Sequence, residues 1–311
     1  MRVFVAGATG AIGGPLIAAL VAASHDVMGM TTSVRNIDML RAAGAGGVVA
    51  NALDAPEVHA AIKKFQPDVV IDELTSLPRR YTPEEMRAAA GRDRTLRLEG
   101  GRNLQNAAIA AGARRYIVQS SGFFHAPGPG LATETDALAV NASPAVAASA
   151  RTYTQIEDRV LGTNVMEGLA LRYGFFYGPG TWFTESGAMA DQVRARGYPV
   201  AGPGDGVWSW VHVADAAVAT VAALTAAPGI YNIVDDDPSP ISIWLPAFAT
   251  AINAPPPPHL SEQEALATVG ADFVYYANRL RGASNAKARR SLSFAPRRLE
   301  WFATKAKFST T

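Results

Sequence analysis

The sequence predicts an α/β fold, in which a doubly wound parallel sheet is followed by a smaller C-terminal lobe. Three observations carry this prediction. Short apolar runs, at residues 3–5, 48–50 and 69–71, alternate with segments of helical periodicity. The first run leads straight into a glycine-rich turn and then a helix. The chain has 311 residues, which exceeds one typical domain and leaves room for the second lobe.

The composition excludes several classes of function. The chain is 49% hydrophobic and 18% charged with a net charge of +1, which predicts no binding of nucleic acid. It contains no cysteine, so disulfides and thiolate chemistry are excluded, and its five histidines are scattered, so we expect no metal site. No stretch approaches the about 20 apolar residues of a membrane span. Because the first strand starts right after Met1, we expect no signal peptide, no membrane partner and a cytoplasmic protein.

The glycine-rich turn, residues 7–13, reads Gly-Ala-Thr-Gly-Ala-Ile-Gly. Gly7 permits an unusual backbone angle, Gly10 leaves space for a pyrophosphate, and Gly13 lets the helix pack closely on the strand. The helix N-terminus then presents unpaired N–H groups and a positive dipole end. The alternative is a tight turn without a ligand. We predict a Rossmann-type nucleotide site formed by Gly7, Thr9, Gly10, Ala11, Ile12 and Gly13.

The end of the second predicted strand, residues 27–30, indicates which nicotinamide nucleotide would bind. An acidic residue at this place binds the ribose 2′-hydroxyl of NAD, whereas a 2′-phosphate requires neutral donors and an arginine. Residues 31–35 read Thr-Thr-Ser-Val-Arg and contain no acid. Thr32 and Arg35 therefore favour NADP over NAD, unless Arg35 is only a solvated residue at a helix start.

The middle of the first lobe contains two predicted helix starts. Asp54 followed by Pro56 predicts a capped helix, and Thr82-Pro83-Glu84-Glu85 predicts a second one that opens an arginine-rich helical region reaching about residue 111. We expect most arginines of this region to lie on a solvated helix face. They are Arg79, Arg80, Arg87, Arg92, Arg94 and Arg97.

The fifth predicted strand begins at Tyr116 and runs into two serines, Ser120 and Ser121. Active sites of such sheets form at the carboxyl ends of the strands, so the two hydroxyls are well placed for function. The alternative is that they only satisfy the exit turn. The loop that follows, from residue 126 to the predicted helix start at Ser143-Pro144, is rich in Pro, Gly and Ala and is a candidate substrate lid.

Several segments resemble the extended short-chain dehydrogenase/reductase family, which includes NAD-dependent sugar epimerases and dehydratases. They are the Gly-x-x-Gly-x-x-Gly turn, Leu-Arg-Tyr-Gly-Phe-Phe-Tyr-Gly-Pro-Gly at 171–180 and Trp-Val-His-Val-Ala-Asp at 210–215. We expect His212 and Asp215 of the last segment to be structural, with Asp215 as the N-cap of the helix that follows. The resemblance implies an NAD(P)-binding domain at 1–172, a mainly substrate-binding lobe at 173–311 whose chain crosses back to the sheet, and a homodimer. It places Asn51 near the adenine and Leu74 near the nicotinamide ribose. It also implies that Tyr173, Gly174, Phe175 and Phe176 lie at the nicotinamide.

The chain departs from this family at its Tyr-x-x-x-Lys pair, in which the lysine lowers the pKa of the tyrosine that transfers a proton to the substrate. Residues 149–157 read Ser-Ala-Arg-Thr-Tyr-Thr-Gln-Ile-Glu, without lysine. In one register Tyr153 is the catalytic tyrosine and Glu157 replaces the lysine. In the other, which the distance from Glu157 to Arg172 favours, Ser149 replaces the tyrosine and Tyr153 the lysine. The proton relay is broken in both.

Ser121 matches the family's substrate-polarising hydroxyl, so Ser121 and Tyr153 are the candidate catalytic residues. Ser120, Phe124, Tyr177 and Trp182 are candidate substrate contacts, the aromatic ones as a pocket wall, although core packing explains half of the aromatic residues after Arg172 equally well. The resemblance implies an NAD(P)-dependent oxidoreductase that transfers hydride to a carbonyl of a small, partly apolar metabolite. Two alternatives stay open: an NADP-binding redox sensor, and an epimerase, dehydratase or isomerase acting on a nucleotide sugar or a related substrate.

Overall fold

The computed structural model describes residues 1–303. Its strands are β1 (Arg2–Ala6), β2 (Asp26–Thr31), β3 (Gly46–Val49), β4 (Val69–Asp72), β5 (Arg115–Ser121), β6 (Glu167–Tyr173), β7 (Phe175–Tyr177), β8 (Val200–Ala201), β9 (Val207–Trp208), β10 (Trp210–His212), β11 (Gly229–Ile233), β12 (Ser239–Pro240) and β13 (His259–Leu260).

The helices are α1 (Gly13–Ala22), α2 (Ile37–Ala42), α3 (Ala55–Phe65), α4 (Pro83–Thr95), α5 (Gly101–Ala110), α6 (Pro144–Leu161), α7 (Ala188–Arg194), α8 (Val213–Ala222), α9 (Ile241–Ala251), α10 (Glu262–Thr268), α11 (Ala271–Asn278), α12 (Ala286–Leu292) and α13 (Glu300–Ala303). A 3₁₀ turn, Val34–Asn36, precedes α2, and a π-helical turn, Leu96–Gly100, joins α4 to α5.

Seven parallel strands form the central sheet in the order β11-β6-β5-β4-β1-β2-β3. The strand order reverses beside β1, which places a crevice at the carboxyl end of that strand. One buried apolar cluster packs α1 and α8 on one face of the sheet through residues such as Leu16 and Ala216. Another packs α3, α5 and α6 on the opposite face through Ile62, Leu104 and Ile156. The predicted doubly wound α/β fold is therefore confirmed.

The helix starts follow the predicted capping chemistry in two places and differ in a third. The side chains of Asp54 and Thr82 accept hydrogen bonds from the third residue of α3 and of α4, as predicted. The expectation that Asp215 caps α8 is wrong. His212 is the N-cap, because its Nδ1 accepts the Ala214 N–H at 3.1 Å, while Asp215 lies in the first helical turn and pairs with Arg297.

The residues after β6 form a second core that is dominated by aromatic rings, with Trp208, Trp210 and Trp244 all fully buried. The chain returns to the central sheet once, as β11 beside β6. A separate C-terminal lobe beginning at residue 173 stays a prediction, and its last residues, 304–311, lie outside the described residues. Within residues 1–303 there is no helix long and apolar enough to cross a membrane.

Candidate active site at the carboxyl edge of the sheet

The glycine turn has the geometry of an anion site. Gly7 has a φ of +79°, and a Cβ there would lie 2.4 Å from the Glu73 carbonyl oxygen. A Cβ on Gly13 would lie 2.5 Å from the Ala8 carbonyl, whereas one on Gly10 would come no closer than 3.3 Å to any neighbour. Gly7 and Gly13 are thus required by packing, while a Cβ on Gly10 would make a single tight contact, with the Gly7 carbonyl oxygen. Within the described chain the N–H groups of Ala11 and Ile12 find no protein acceptor.

The end of β2 contains no carboxylate that could bind a ribose. Thr32 and Arg35 are exposed, and the nearest acid that follows, Asp38, is paired with Arg41 at 3.2 Å. Asn36, which the sequence analysis missed, ties this segment to the glycine turn. Its Nδ2 donates to Thr31 Oγ1 at 3.0 Å and to Thr9 Oγ1 at 3.4 Å.

Asn51 and Leu74, expected at the adenine and at the nicotinamide ribose, lie after β3 and β4 respectively. Asn51 is exposed, and its side-chain oxygen accepts the Leu53 N–H at 3.0 Å. Leu74 is buried and takes part in lining a narrow crevice between β4 and β5 that is too tight to admit a water molecule. This β4–β5 crevice is lined by Asp72, Leu74, Arg97, Val118, Gln119 and Ile156.

Glu157 and Arg172 form a buried, bidentate ion pair. Arg172 Nε donates to Oε1 and Nη2 to Oε2 of Glu157, both at 2.7 Å. The Ser120 hydroxyl donates to the same carboxylate at 2.6 Å, so it is engaged on Glu157. The choice between the two registers of the Tyr-x-x-x-Lys pair stays a prediction.

Ser121 and Tyr153, the candidate catalytic residues, differ in their surroundings. The Ser121 hydroxyl is buried and has no hydrogen-bond partner within residues 1–303. Tyr153 packs beside Phe124, with ring centroids 6.0 Å apart. Burial raises the pKa of Tyr153, and the neighbouring Arg97 opposes that increase. A phenol whose pKa is raised in this way is a poor proton donor at neutral pH.

Five of the six arginines named above are exposed, as expected for most of them, and Arg97 is the exception, since it is only 5% exposed. Its guanidinium carbon lies 5.2 Å from the centroid of the Tyr153 ring, and its Nε donates to Asp93 Oδ2 at 2.7 Å. It projects from the π-helical turn, an element that occurs frequently at functional sites. The sequence carried no signal for this burial, because the contact depends on a helix more than fifty residues away.

Glu73, also missed, lies directly under the glycine turn. The Tyr173 hydroxyl donates to Glu73 Oε1 at 3.0 Å and lies 2.6 Å from the Thr220 hydroxyl. Burial is the main cause that raises the pKa of Glu73, to about 8. The ring of Tyr173, expected at the nicotinamide, is therefore engaged beneath the sheet edge.

The backbone after Tyr173 is engaged as well. The N–H of Gly174 donates to the Ile233 carbonyl at 3.1 Å and that of Phe175 to the Ser209 carbonyl at 2.8 Å. These two N–H groups are used within the protein, while the ring of the half-buried Phe176 lies beside Tyr173 at 5.2 Å. The expected contacts of these residues with a nicotinamide stay predictions.

An aromatic wall, defined here as Phe123, Phe124, Phe175 and Tyr276, follows β5. Phe175 stacks on Phe123 with ring centroids 4.0 Å apart, and Phe124 lies 4.6 Å from Phe123. Tyr276 meets the edge of Phe124 at 6.1 Å. The wall gives the site an apolar side that suits a flat, aromatic ligand.

Two other candidate substrate residues lie elsewhere. Tyr177 packs against His212 and Trp301, and the indole N–H of Trp182 donates to the Pro78 carbonyl at 3.2 Å. Tyr177 borders a region with a larger cavity of about 580 Å³, whose lining includes Gly178, Phe183 and Phe248. That cavity contains neither the glycine turn nor the ends of β4 and β5. We therefore place the candidate site at the carboxyl edge of the sheet, where the glycine turn and the polar side chains described above lie.

The comparisons with known proteins show the family and the fold. The sequence profile of the NAD dependent epimerase/dehydratase family matches residues 3–234. A 3-diazoavenalumate denitrifying reductase of Streptomyces sp. is 40% identical over 305 residues, which cover 97% of this chain and 98% of that protein. The dTDP-glucose 4,6-dehydratase of Streptomyces venezuelae, with NAD and TYD bound, superimposes with a TM-score of 0.75 at 17% identity, over 99% and 98% of the two chains. The UDP-glucose 4-epimerase of Thermus thermophilus, in complex with NAD, gives 0.68 at 22% identity, over 96% and 94%.

Proposed function

The chain belongs to the NAD dependent epimerase/dehydratase family, and we propose that it works there as a nicotinamide-dependent reductase of an aromatic diazo carboxylate. The extended short-chain dehydrogenases/reductases of this family are NAD-dependent enzymes, and a relative over almost the whole chain is named as a reductase. That relative's name describes a reduction that removes nitrogen from a diazo compound. The reaction proposed here is the same in type.

One observation carries the choice of reaction: the glycine turn is complete, but the Tyr-x-x-x-Lys pair is absent. Reduction of a carbonyl leaves an alkoxide, which needs a proton from such a pair. A diazonium group already carries a positive charge. When it accepts a hydride, the charge is neutralised and no external proton is needed.

The reaction balances with one hydride donor. The terminal nitrogen of the diazonium group would accept a hydride, with its two electrons, which reduced nicotinamide bound at the glycine turn would supply, and a nitrogen–hydrogen bond would form. The carbon–nitrogen and nitrogen–hydrogen bonds would then break, dinitrogen would leave, and the hydrogen would pass to the ring carbon as a carbon–hydrogen bond. The products are the denitrified carboxylate, dinitrogen and the oxidised nucleotide.

The residues present fit a dinucleotide. The open face of Gly10 and the unpaired N–H groups of Ala11 and Ile12 suit a diphosphate. Solved structures of the same fold bind NAD. For this chain we propose NADP, because exposed Thr32 and Arg35 follow β2 where an NAD enzyme carries an acid.

The substrate would lie along the aromatic wall. The unpartnered Ser121 hydroxyl is available to orient the diazo group, and Tyr153 with Phe124 borders the ring of the substrate. Asn51, Leu74 and the segment from Tyr173 to Phe176 stay proposed contacts of the nucleotide. A homodimer through the α4–α5 region and a cytoplasmic location stay proposals that rest on the family resemblance and on composition.

The test compares two acceptors on one scaffold, a cinnamate that carries a diazonium group on its ring and a cinnamate that carries an aldehyde at the same position. We expect one NADPH oxidised and one dinitrogen released per diazonium consumed, at a rate at least about 100-fold above the aldehyde, which requires a proton. A protein-free reaction and the Gly10→Ala variant supply the background. Equal rates with both acceptors, or no oxidation above background, would refute the proposed reaction.

A further inference from the structure

We infer that Arg97 is the group that binds the carboxylate of the substrate, at the mouth of the β4–β5 crevice. The inference rests on the proposed function for one point, which is that the ligand is aromatic. Arg97 would then be a specificity-determining residue that selects acids over neutral aromatic compounds. The argument depends on the unused donors of Arg97, on the local charge and on its contact with Tyr153.

Arg97 has more donors than the protein uses. A guanidinium carries five N–H donors, and within residues 1–303 only Nε of Arg97 has an acceptor, Asp93 Oδ2. Asp93 is itself shared, because its Oδ1 accepts the Ser76 N–H at 2.6 Å. The Nη groups of Arg97 have no protein acceptor in the described chain and are not among its fully buried polar atoms, so a ligand can reach them. A carboxylate fits the planar fork of a guanidinium with two parallel hydrogen bonds.

A second group in the same crevice also lacks a partner. Gln119 lines the crevice beside Arg97, and its side-chain oxygen is buried without a hydrogen bond in the described part of the chain. Because that oxygen only accepts, the amide NH₂ of Gln119 is the group that could donate to a carboxylate. The crevice is narrow, so a carboxylate requires a shift of the Leu74 or Gln119 side chain. An aromatic ring is too large for it and would remain on the wall.

The charges around the crevice favour an added anion. Two guanidinium groups, Arg97 and Arg159, stand near three carboxyl groups, Asp93, Asp72 and Glu73. Burial is the largest influence on Asp72 and on Glu73 and raises the pKa of both, which disfavours their charged forms. A substrate carboxylate beside Arg97 would supply a negative charge that burial disfavours on these two groups.

Arg97 is joined to the aromatic wall through one residue. Its guanidinium lies over the Tyr153 ring, and the other neighbour of that ring is Phe124. A substrate whose ring packs on Phe124 and Tyr153 therefore has its acidic end within reach of Arg97. The same relation explains why tyrosine is tolerated at the lysine position of the family, because the cation is supplied from the π-helical turn.

The test measures binding and does not depend on turnover. Cinnamate and its neutral amide, cinnamamide, are titrated by calorimetry against the protein saturated with NADP⁺. We expect the native protein to bind cinnamate at least about tenfold more tightly than the amide. Arg97→Met should abolish this preference and Arg97→Lys should retain part of it, while NADP⁺ affinity changes by less than about twofold in both.

Arg115→Met is the matched control. Arg115 is a similarly buried arginine at the opposite end of β5, where it pairs with Glu167 and donates to the Ala223 carbonyl, so this variant should keep the preference for the acid. The inference would be overturned if the native protein bound the two ligands equally or did not bind cinnamate. An unchanged preference in Arg97→Met would overturn it as well. An intact preference without diazonium reduction would refute the proposed reaction and leave the role of Arg97 standing.

Discussion

Glu157 and Arg172 hold α6 to the sheet through two hydrogen bonds of 2.7 Å between side chains that are 6% and 4% exposed. The pair joins α6 to β6 beneath the candidate site. The Ser120 hydroxyl at the end of β5 donates to the same Glu157 carboxylate, so this one side chain joins α6, β6 and β5. The positions of Ser121 and Tyr153 depend on this contact, since each lies close to one of its members in the chain.

Removal of the Glu157 carboxylate should destabilise the protein strongly. Glu157→Ala leaves the Arg172 guanidinium buried and without its counter-ion, and we expect a loss of about 3–5 kcal/mol in the free energy of unfolding, measured by urea denaturation. Asp38→Ala, which breaks an exposed pair with Arg41, is the control and should change little. A loss below about 1 kcal/mol in Glu157→Ala would show that the pair contributes only what a surface pair does.

Alanine substitutions at three neighbouring glycines should distinguish an effect on cofactor binding from an effect on the stability of the fold. Gly10→Ala should lower the melting temperature less than Gly13→Ala does, because its Cβ would make one contact of 3.3 Å with the Gly7 carbonyl oxygen. It should weaken NADPH binding by at least about tenfold, because the same Cβ would meet the diphosphate in the complex. Gly13→Ala should lower both, since its Cβ would lie 2.5 Å from the Ala8 backbone. Gly14→Ala meets nothing within 4 Å and is the control for both measurements. Unchanged NADPH affinity in Gly10→Ala would place the nucleotide elsewhere.

The preference for NADP should depend on Arg35. Arg35→Ala removes the cation proposed to bind the 2′-phosphate, so we expect Kd for NADPH to rise by at least about tenfold while Kd for NADH stays within about twofold. Arg41→Ala, an exposed arginine on α2 that is paired with Asp38, is the matched control and should alter neither value. A parallel loss of both nucleotides in Arg35→Ala would mean that Arg35 does not read the phosphate.

The fold and the nucleotide turn could be predicted because both depend on local sequence. Gly7, Gly10 and Gly13 stand at fixed spacing between a strand and a helix, and Asp54 and Thr82 cap the helices that they directly precede. The prediction that Asp215 caps α8 is wrong, because the cap depends on the orientation of a ring. The His212 ring turns toward the helix start and accepts the Ala214 N–H, and no sequence pattern specifies that orientation.

The interior of the site could not be predicted because it depends on contacts between distant segments. Glu73 meets Tyr173 across one hundred residues, and Arg97 meets Tyr153 across two helices. Both charged residues were assigned no role, since exposed and buried arginines or glutamates look alike in a single sequence. Their burial is decided by which strand and helix become neighbours.

Ser121 and Tyr153 provide the sharpest test of the reaction type. If the substrate needs no proton, Ser121→Ala and Tyr153→Phe should each lower kcat for the diazonium substrate by less than about tenfold, whereas loss of a general acid costs about 10²–10⁴-fold. Rates are compared at saturating NADPH, and retained nucleotide affinity confirms that each variant is folded. A loss above about 100-fold in either variant would identify it as a required proton donor and contradict the proposed mechanism.

Glu73 should give the protein a stability that decreases with rising pH. Its pKa is about 8 in the folded protein, mainly because of burial, against an ordinary value of 4.5. Below the ordinary value the carboxyl is protonated in both states and its contribution is complete. Between the two values the unfolded chain loses a proton that the native protein retains, so the free energy of unfolding falls with a limiting slope of about 1.4 kcal/mol per pH unit.

Glu73→Gln removes this dependence, because the amide has no proton to lose and can still accept the hydrogen bond from Tyr173. We expect the difference in stability between Glu73→Gln and the native protein to grow in favour of the variant by on the order of 3 kcal/mol from pH 5 to pH 8, measured by urea denaturation at several pH values. Asp235, whose pKa burial also raises to about 8, is present in both proteins and cancels in the comparison. The exposed Glu99→Gln is the control and should show a constant difference. A constant difference for Glu73→Gln as well would mean that Glu73 is ionised in the folded protein at neutral pH, and the glycine turn would then have a negative charge beneath the diphosphate.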